Sequence, residues 1–203
     1  PLLGENRPGS IGLPMPDMEV KIVSLDDGET EVPVGDVGEL AMSGPILMLG
    51  YHKMVTETAN VLRNENGQQW LYTGDIARMD DAGFFYIVDR KKDMALIGGF
   101  NVYPTNIEKV LKDHPAVLEV GVASVPHPDK QGQEMLKAWI VLKPGVEVSE
   151  RGLVEHCAQR LAPYEVPRRF AFIAELPKSM VGKTLRRELI QMEIAAQERN
   201  AND

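Results

Sequence analysis

A lysine near the carboxyl end of the chain, Lys183, lies in a glycine-containing loop that could bring a mobile positive charge to an anion. Residues 177–184, with the sequence PKSMVGKT, lie between a predicted strand and a predicted helix. A Walker A phosphate loop requires glycine at the first of these positions, whereas Pro177 lacks the backbone N–H that such a loop uses. Lys183 is therefore either a point charge for a carboxylate or phosphate, or a surface lysine beside a helix start.

Two further charged residues, Asp75 and Arg90, are candidates for binding a sugar. The motif YTGD at 72–75 is predicted to end a strand, where a carboxylate held by a turn could accept hydrogen bonds from two ribose hydroxyls. Arg90 belongs to the segment DRKKD at 89–93 and could contact ribose or phosphate. Each has a simpler interpretation, because Asp75 could serve a tight turn and Arg90 could belong to a solvated, charged linker.

Paired glycines, Gly98 and Gly99, precede Phe100 and a helix that begins at Pro104. Glycine adopts positive φ readily and lets a ligand pass close to the backbone, so this segment is another candidate binding site. A plain tight turn before the helix explains it as well. The sequence indicates no metal site, because it has no cysteine pair and its histidines are scattered along the chain. These histidines are His52, His114, His127 and His156.

The elements that must position these residues differ between the two halves of the chain. Residues 1–88 have the pattern of a β-rich unit, with strands predicted at 18–22, 38–42, 69–72 and 84–88. One helix is predicted there, over 55–62, with Thr56 as a candidate N-cap.

The second half alternates between strand and helix patterns, which predicts a small α/β domain with a helix-covered sheet. Strands are predicted at 117–125, 136–142 and 169–173. Helices are predicted from Pro104, after a Ser149 cap, and over 185–196. The apolar face of the first helix is formed by Ile107, Val110 and Leu111. The fold class predicted for the whole chain is α+β, a β-rich subdomain followed by this domain.

Composition narrows the class of protein further. The 203 residues carry 22 Lys and Arg against 30 Asp and Glu, a formal net charge of −8, which argues against a nucleic-acid partner. One cysteine, Cys157, excludes an internal disulfide and fits a reducing cytoplasm. No run approaches the roughly 20 apolar residues of a membrane span. The excess of acidic over basic residues lies before the DRKKD segment, since residues 1–88 hold 14 acidic and 5 basic side chains, and that segment is therefore a candidate domain boundary.

In this order and spacing, the segments resemble one family, the adenylate-forming enzymes, which include acyl-CoA synthetases, luciferases and the adenylation domains of peptide synthetases. The resemblance covers essentially the whole chain. The segments that carry it are YTGD at 72–75, DRKKD at 89–93, GGFNVYP at 98–104, LAPY at 161–164 with Val166-Pro167, and LPK at 176–178 with Gly182-Lys183. DRKKDM followed by GGFNVYP is most similar to bacterial long- and medium-chain fatty acid–CoA ligases.

The resemblance implies a division of the chain and a set of ligands. Residues 1–88 would be the last β-rich subdomain of a large N-terminal AMP-binding domain, 89–93 a hinge, and 94–203 a C-terminal lid. A fatty acid, ATP and coenzyme A would be the substrates of the parent enzyme, with Mg²⁺ accompanying ATP. Oligomeric state and peripheral membrane contact stay open.

The resemblance also implies roles for individual residues. Asp75 and Arg90 would hold the ribose of ATP, and Lys183 would reach the substrate carboxylate and the α-phosphate. Lys92 would be the hinge residue. The segment Gly98-Gly99-Phe100 would line the tunnel for the pantetheine arm of coenzyme A.

Other features of the family are not found among these residues, including its phosphate loop, its segment for adenine and Mg²⁺, and its acyl pocket. We therefore expect the chain to be a piece of something longer, as its start at Pro1 without methionine also suggests. By itself it is expected to be inactive. Alternatives are a ligase for aryl or other acids in the same superfamily, and a non-catalytic interaction module.

Overall fold

The computed structural model describes residues 6–130 and 132–202. The chain divides after Lys92 into two compact units, so the division falls inside the charged segment at 89–93. Both units combine sheets with helices, which confirms the predicted α+β class.

The first unit is built on one antiparallel sheet. Its strands are β1 (Glu19–Val23), β2 (Gly38–Ser43), β3 (Leu62–Glu65), β4 (Gln68–Met79) and β5 (Phe85–Arg90). Their order is β1-β2-β4-β3, and β5 pairs with the second half of β4. A short helix, α1 (Val55–Val61), precedes β3. Because β4 pairs with β2, β3 and β5, it is the strand that holds this unit together.

Apolar side chains cover both faces of this sheet. Successive residues of a strand point to opposite faces. Accordingly, Ile22 and Leu40 belong to one buried cluster, whereas their neighbours Val23 and Ala41 belong to another. Both faces of the sheet that contains β4 and β5 are therefore packed.

Three features of the first unit correct the sequence-based predictions. β4 extends far beyond the strand predicted at 69–72, so YTGD lies inside a strand and not at its end. The pattern does not predict β3, whose residues are mostly polar, although the turn Asn66-Gly67 with positive φ at both residues signals its hairpin with β4. Thr56 is not an N-cap, because α1 begins after Met54 and no side chain caps it.

The second unit has a three-stranded sheet and a hairpin. The sheet contains β8 (Val117–Pro126), β9 (Glu134–Leu142) and β10 (Arg169–Phe172), in the order β10-β9-β8. β9 is antiparallel to β8 and parallel to β10. The hairpin joins β6 (Ala95–Ile97) to β7 (Phe100–Val102). Its helices are α2 (Pro104–Lys112), α3 (Glu150–Ala158) and α4 (Arg186–Asn202).

Helices cover the three-stranded sheet through two buried clusters. Ile107 and Leu111 of α2 join Leu153 and Cys157 of α3 in the first cluster. Leu189 of α4 lies in the second. Residues of β8 and β9 alternate between the two clusters, so the helices lie on opposite faces of the sheet. The predicted helix-covered sheet is confirmed.

In the second unit, the ends of the helices follow local sequence signals with one exception. Pro104 is at the first turn of α2, and the Ser149 hydroxyl accepts a hydrogen bond from the Gly152 N–H at 3.2 Å, capping α3. α4 continues to Asn202, whereas its apolar pattern predicts an end near 196. The added residues include Gln, Glu and Arg, which favour helix without contributing to an apolar face.

Candidate functional site

A bulge in β4 carries the YTGD motif. Ala41 of β2 pairs with Tyr72, but Glu39 pairs with Ile76, so the three intervening residues of β4 face a single residue of β2. Gly74 takes a φ of +69° at the centre of the bulge, a conformation that favours glycine. A bulge bends the strand and changes the direction of its side chains. The Asp75 side chain therefore points in a different direction from that of a residue in a regular β-ladder.

Three hydrogen bonds hold the bulge in place. The Thr73 hydroxyl donates to the Leu40 carbonyl at 2.8 Å and accepts from the Asp75 N–H at 3.1 Å. The Gly74 N–H donates to Glu39 Oε1 at 3.1 Å. These bonds replace ladder hydrogen bonds that the bulge interrupts, so the position of Asp75 does not depend on its own side chain.

Glu39 is a residue that the sequence does not single out. Its side chain is only 5% exposed, and its second carboxylate oxygen accepts a hydrogen bond from Lys91 Nζ at 2.7 Å. A buried carboxylate requires such partners, and Glu39 uses both oxygens to join the bulge to the residue after Arg90. No pattern in the sequence distinguishes this glutamate from a solvated one, since its partners lie 35 and 52 residues away.

Asp75 and Arg90 are brought together as opposite residues of β4 and β5. Arg90 Nε lies 2.7 Å from Asp75 Oδ1, and the side chains are 49% and 27% exposed. Because both stay accessible, the pair contributes little to folding but offers a carboxylate and a guanidinium side by side. That combination suits a polyhydroxylated, anionic ligand such as a nucleotide.

An open cavity of about 360 Å³ adjoins this pair in the first unit. It is lined by Thr73, Gly74, Arg90, Lys91 and Lys92. Three of these five residues are cationic, although Arg90 is paired with Asp75 and Lys91 with Glu39. Lys92, the predicted hinge residue, is exposed and ends the first unit.

Lys183 lies in a narrow turn of the second unit. Lys178 and Thr184 form an antiparallel bridge, and the Gly182 N–H donates to the Ser179 carbonyl at 2.8 Å. The Ser179 N–H donates to the Lys183 carbonyl at 2.9 Å, while the Lys183 N–H donates to the Ser179 hydroxyl at 3.2 Å. The backbone of Lys183 is thus fixed although its side chain is exposed.

Gly98 and Gly99 form the two-residue turn of the β6–β7 hairpin, with φ values of +60° and +86°. Positive φ at both positions is the geometry of a type I′ turn, which matches the twist of the strands. Phe100 then stacks on Tyr164, with ring centroids 4.3 Å apart and the planes 7° from parallel. Both rings are partly exposed, so this hairpin presents a flat aromatic surface next to accessible backbone.

Two kinds of site are absent from the part of the chain that the structure describes. Within residues 6–130 and 132–202, no group of three or more His, Cys, Asp or Glu could hold a metal ion. In the same ranges, no helix has both the length and the apolar character needed to cross a bilayer.

Cys157 is expected to resist alkylation in the folded chain. It is fully buried in the first cluster of the second unit, and burial raises the pKa of its thiol to about 11. At pH 8, iodoacetamide should therefore modify the chain slowly in buffer and rapidly in guanidinium chloride, as mass spectrometry would show. Rapid modification of the native chain would contradict the burial. The thiol is correspondingly unsuited to nucleophilic chemistry.

The first unit thus offers a carboxylate on a bulge beside a guanidinium, and the second unit offers an exposed lysine on a fixed turn. The family model of the AMP-binding enzyme matches residues 2–52, and that of the AMP-binding enzyme C-terminal domain matches residues 106–183. This chain belongs to the adenylate-forming superfamily of AMP-binding enzymes.

Curated relatives and solved structures agree with this membership. The chain is 46% identical to a long-chain-fatty-acid–CoA ligase of Bacillus subtilis (94% of this chain, 33% of the relative). It is 49% identical to the ligase of that name from Escherichia coli O6:H1 (89% and 31%). ATP-bound MatB from Rhodopseudomonas palustris superposes with a TM-score of 0.86 at 30% identity (95% and 37%). The chain thus spans about a third of the length of the curated relatives it matches.

Proposed function

We propose that this chain is the carboxy-terminal part of an ATP-dependent fatty acid–CoA ligase. In the first half-reaction, a carboxylate oxygen attacks the α-phosphorus of ATP, forming an acyl-adenylate as the bond to pyrophosphate breaks. In the second, the sulfur of coenzyme A attacks the acyl carbon, AMP leaves with the bonding electrons, and the thiol proton passes to solvent. The observation that carries this proposal is the pair formed by Asp75 of the β4 bulge and Arg90 of β5, in a chain 46–49% identical to long-chain-fatty-acid–CoA ligases.

In this proposal Asp75 and Arg90 bind the ribose of ATP. The Asp75 carboxylate accepts hydrogen bonds from the ribose hydroxyls, and the Arg90 guanidinium beside it contributes a positive charge to the same site. The bulge supports this role because Thr73 and Glu39, not Asp75 itself, hold the backbone. Mg²⁺ would accompany the phosphates of ATP as charge compensation during adenylation.

Lys183 is the catalytic residue of the first half-reaction in this proposal. A carboxylate and a triphosphate repel each other, and an ammonium between them offsets that repulsion as charge develops at the α-phosphate. The fixed turn supports the role, because it limits the positions that the ammonium can reach.

We assign the remaining predicted residues to the second half-reaction. Lys92 is the proposed hinge, since it ends the first unit and a hinge needs few residues to absorb a change in φ and ψ. The Gly98-Gly99-Phe100 turn is the proposed wall of the coenzyme A tunnel. Its accessible backbone and the exposed Phe100–Tyr164 stack support that assignment.

The proposal is tested by transplanting the chain. In a hybrid enzyme, residues of the E. coli O6:H1 ligase that match this chain are replaced by this chain. We expect the hybrid to release pyrophosphate and to form acyl-CoA from a long-chain fatty acid, ATP and coenzyme A. The 203 residues alone should do neither, since they supply a ribose site and a lysine but no phosphate loop.

Two outcomes would contradict the proposal. A folded hybrid that makes no acyl-adenylate, next to an active unaltered E. coli enzyme, would show that this chain lacks the ligase function. Turnover by the 203 residues alone would refute their predicted inactivity.

A ligase for an aromatic acid is the second candidate. The anthranilate CoA ligase AuaEII, in complex with anthranoyl-AMP, has a TM-score of 0.80 and 34% identity, and a rice protein named 4-coumarate–CoA ligase-like 4 is 39% identical. The higher identity to long-chain ligases favours the fatty acid. Assays of the full-length gene product with palmitate, 4-coumarate and anthranilate distinguish the two candidates, because only the preferred acid should give rapid AMP release.

A further inference from the structure

Arg186, the first residue of α4, makes the most extensive set of ion pairs and hydrogen bonds near the Lys183 turn. Its Nε donates to Glu108 Oε1 at 3.1 Å and its Nη2 to Glu108 Oε2 at 2.7 Å, a two-point contact with a residue of α2. Nη2 also donates to the Thr105 hydroxyl at 2.8 Å, and Nη1 to Asp93 Oδ2 at 3.1 Å. The arginine side chain is only 17% exposed.

Glu108 is itself fixed by the sheet. Its Oε1 accepts the Val122 N–H of β8 at 2.8 Å, in addition to the Arg186 contact. The Glu108 carboxylate therefore joins α2, the three-stranded sheet and the start of α4. Two-point guanidinium–carboxylate contacts fix geometry as well as charge, so Arg186 sets the direction in which the chain enters α4.

The turn that carries Lys183 is short and is fastened at both ends. At its first end, Lys178 Nζ lies 2.7 Å from Glu119 Oε1, but this pair is more than a third exposed on both sides. At its second end, Arg186 follows Lys183 by three residues and is largely buried. Exposed ion pairs stabilise weakly, so of these two ion-pair attachments the second is the stronger.

We propose that Arg186 is a positioning residue that acts through Lys183, an inference that rests on the proposed adenylation function. The reactive geometry for in-line attack tolerates displacements of well under about 1 Å. Without Arg186, the turn keeps its own hydrogen bonds but loses its attachment to α2. The same guanidinium holds Asp93, the residue directly after the proposed hinge, so Lys183 moves as one body with the start of the second unit.

Variants of the hybrid enzyme test this role. Arg186→Met should lower the rate of acyl-adenylate formation by about 100-fold. Thioester formation from supplied acyl-adenylate and coenzyme A should change less than about twofold, since that step does not use Lys183. Arg186→Lys should not restore adenylation, because an ammonium cannot make the two-point contact. Arg187→Met, an exposed neighbour on α4, is the matched control and should leave both steps unchanged.

A double mutant separates positioning from a general structural effect. In a Lys183→Ala background, Arg186→Met should cause no further loss of adenylation, because both changes remove the same contribution. The double variant Arg186→Met with Glu108→Gln does not leave the half-buried Glu108 carboxylate without its partner. Like Arg186→Met alone, it should slow acyl-adenylate formation and leave thioester formation nearly unchanged. Equal losses in both half-reactions, or additive losses in the double mutant, would overturn the proposal.

Hydrogen exchange on the 203-residue chain tests the attachment without any activity. Arg186→Met should speed exchange at the Gly182 and Leu185 amides, which donate to Ser179 and Pro177 across the turn. Protection along β8 and β9 should be unchanged, as in Arg187→Met. Unchanged exchange in the turn would refute the positioning role even if the hybrid is inactive. Loss of protection throughout β8 and β9 would show a merely structural role.

Discussion

Lys183→Ala is expected to lower acyl-adenylate formation by the hybrid enzyme by about 10²–10³-fold, the usual effect of removing one preorganised charge-stabilising group. The reason is electrostatic, since two anions must approach within bonding distance and the ammonium offsets their repulsion. Thioester formation from supplied acyl-adenylate should remain near the unaltered rate. Rapid-quench measurement of each half-reaction gives both numbers.

The hydrogen bonding of the turn makes Lys183→Ala a clean experiment. The hydrogen bonds within the turn use the backbone and the Ser179 hydroxyl, so alanine keeps the loop intact. Arg187→Ala, which removes an exposed cation from α4, is the control for a change in net charge. Normal adenylation by Lys183→Ala, with loss of thioester formation alone, would reverse the role assigned to this lysine.

Asp75→Ala is expected to raise the KM for ATP by about 100-fold. Two hydrogen bonds from ribose to a carboxylate contribute about 1.5 kcal/mol or more each, and every 1.4 kcal/mol changes affinity tenfold. Unlike Lys183→Ala, this change should impair both half-reactions, because the acyl-adenylate carries the same ribose. Initial rates over a range of ATP and acyl-adenylate concentrations measure the two effects.

The bulge makes it possible to remove Asp75 without disturbing β4. Its backbone is held by Thr73 and Glu39, so we expect Asp75→Ala to fold with an unchanged thermal midpoint. Asp81→Ala removes an exposed carboxylate from the same unit and should leave the KM unchanged. An unaltered KM in Asp75→Ala would contradict the ribose site, whereas an equal shift in Asp81→Ala would indicate a nonspecific effect of charge.

Local sequence signals predicted most of the elements but not all of the site geometry. The apolar spacing of Ile107 and Leu111, the Ser149 cap and the proline that begins α2 are short-range features, and the structure confirms them. Such local signals do not show where β4 ends. A bulge depends on pairing with β2, so nothing within YTGD shows that the strand continues after Asp75.

The sequence by itself determined the α+β class, the family and the candidate residues, because these depend on patterns within a few positions of each other. Tertiary structure alone decided which charges meet. Glu39 reaches Gly74 and Lys91 only through the register of the first sheet, and Arg186 reaches Glu108 across 78 residues. Ion pairs of this kind are set by packing between distant elements. A charged residue type at one position therefore does not show which residue it will contact.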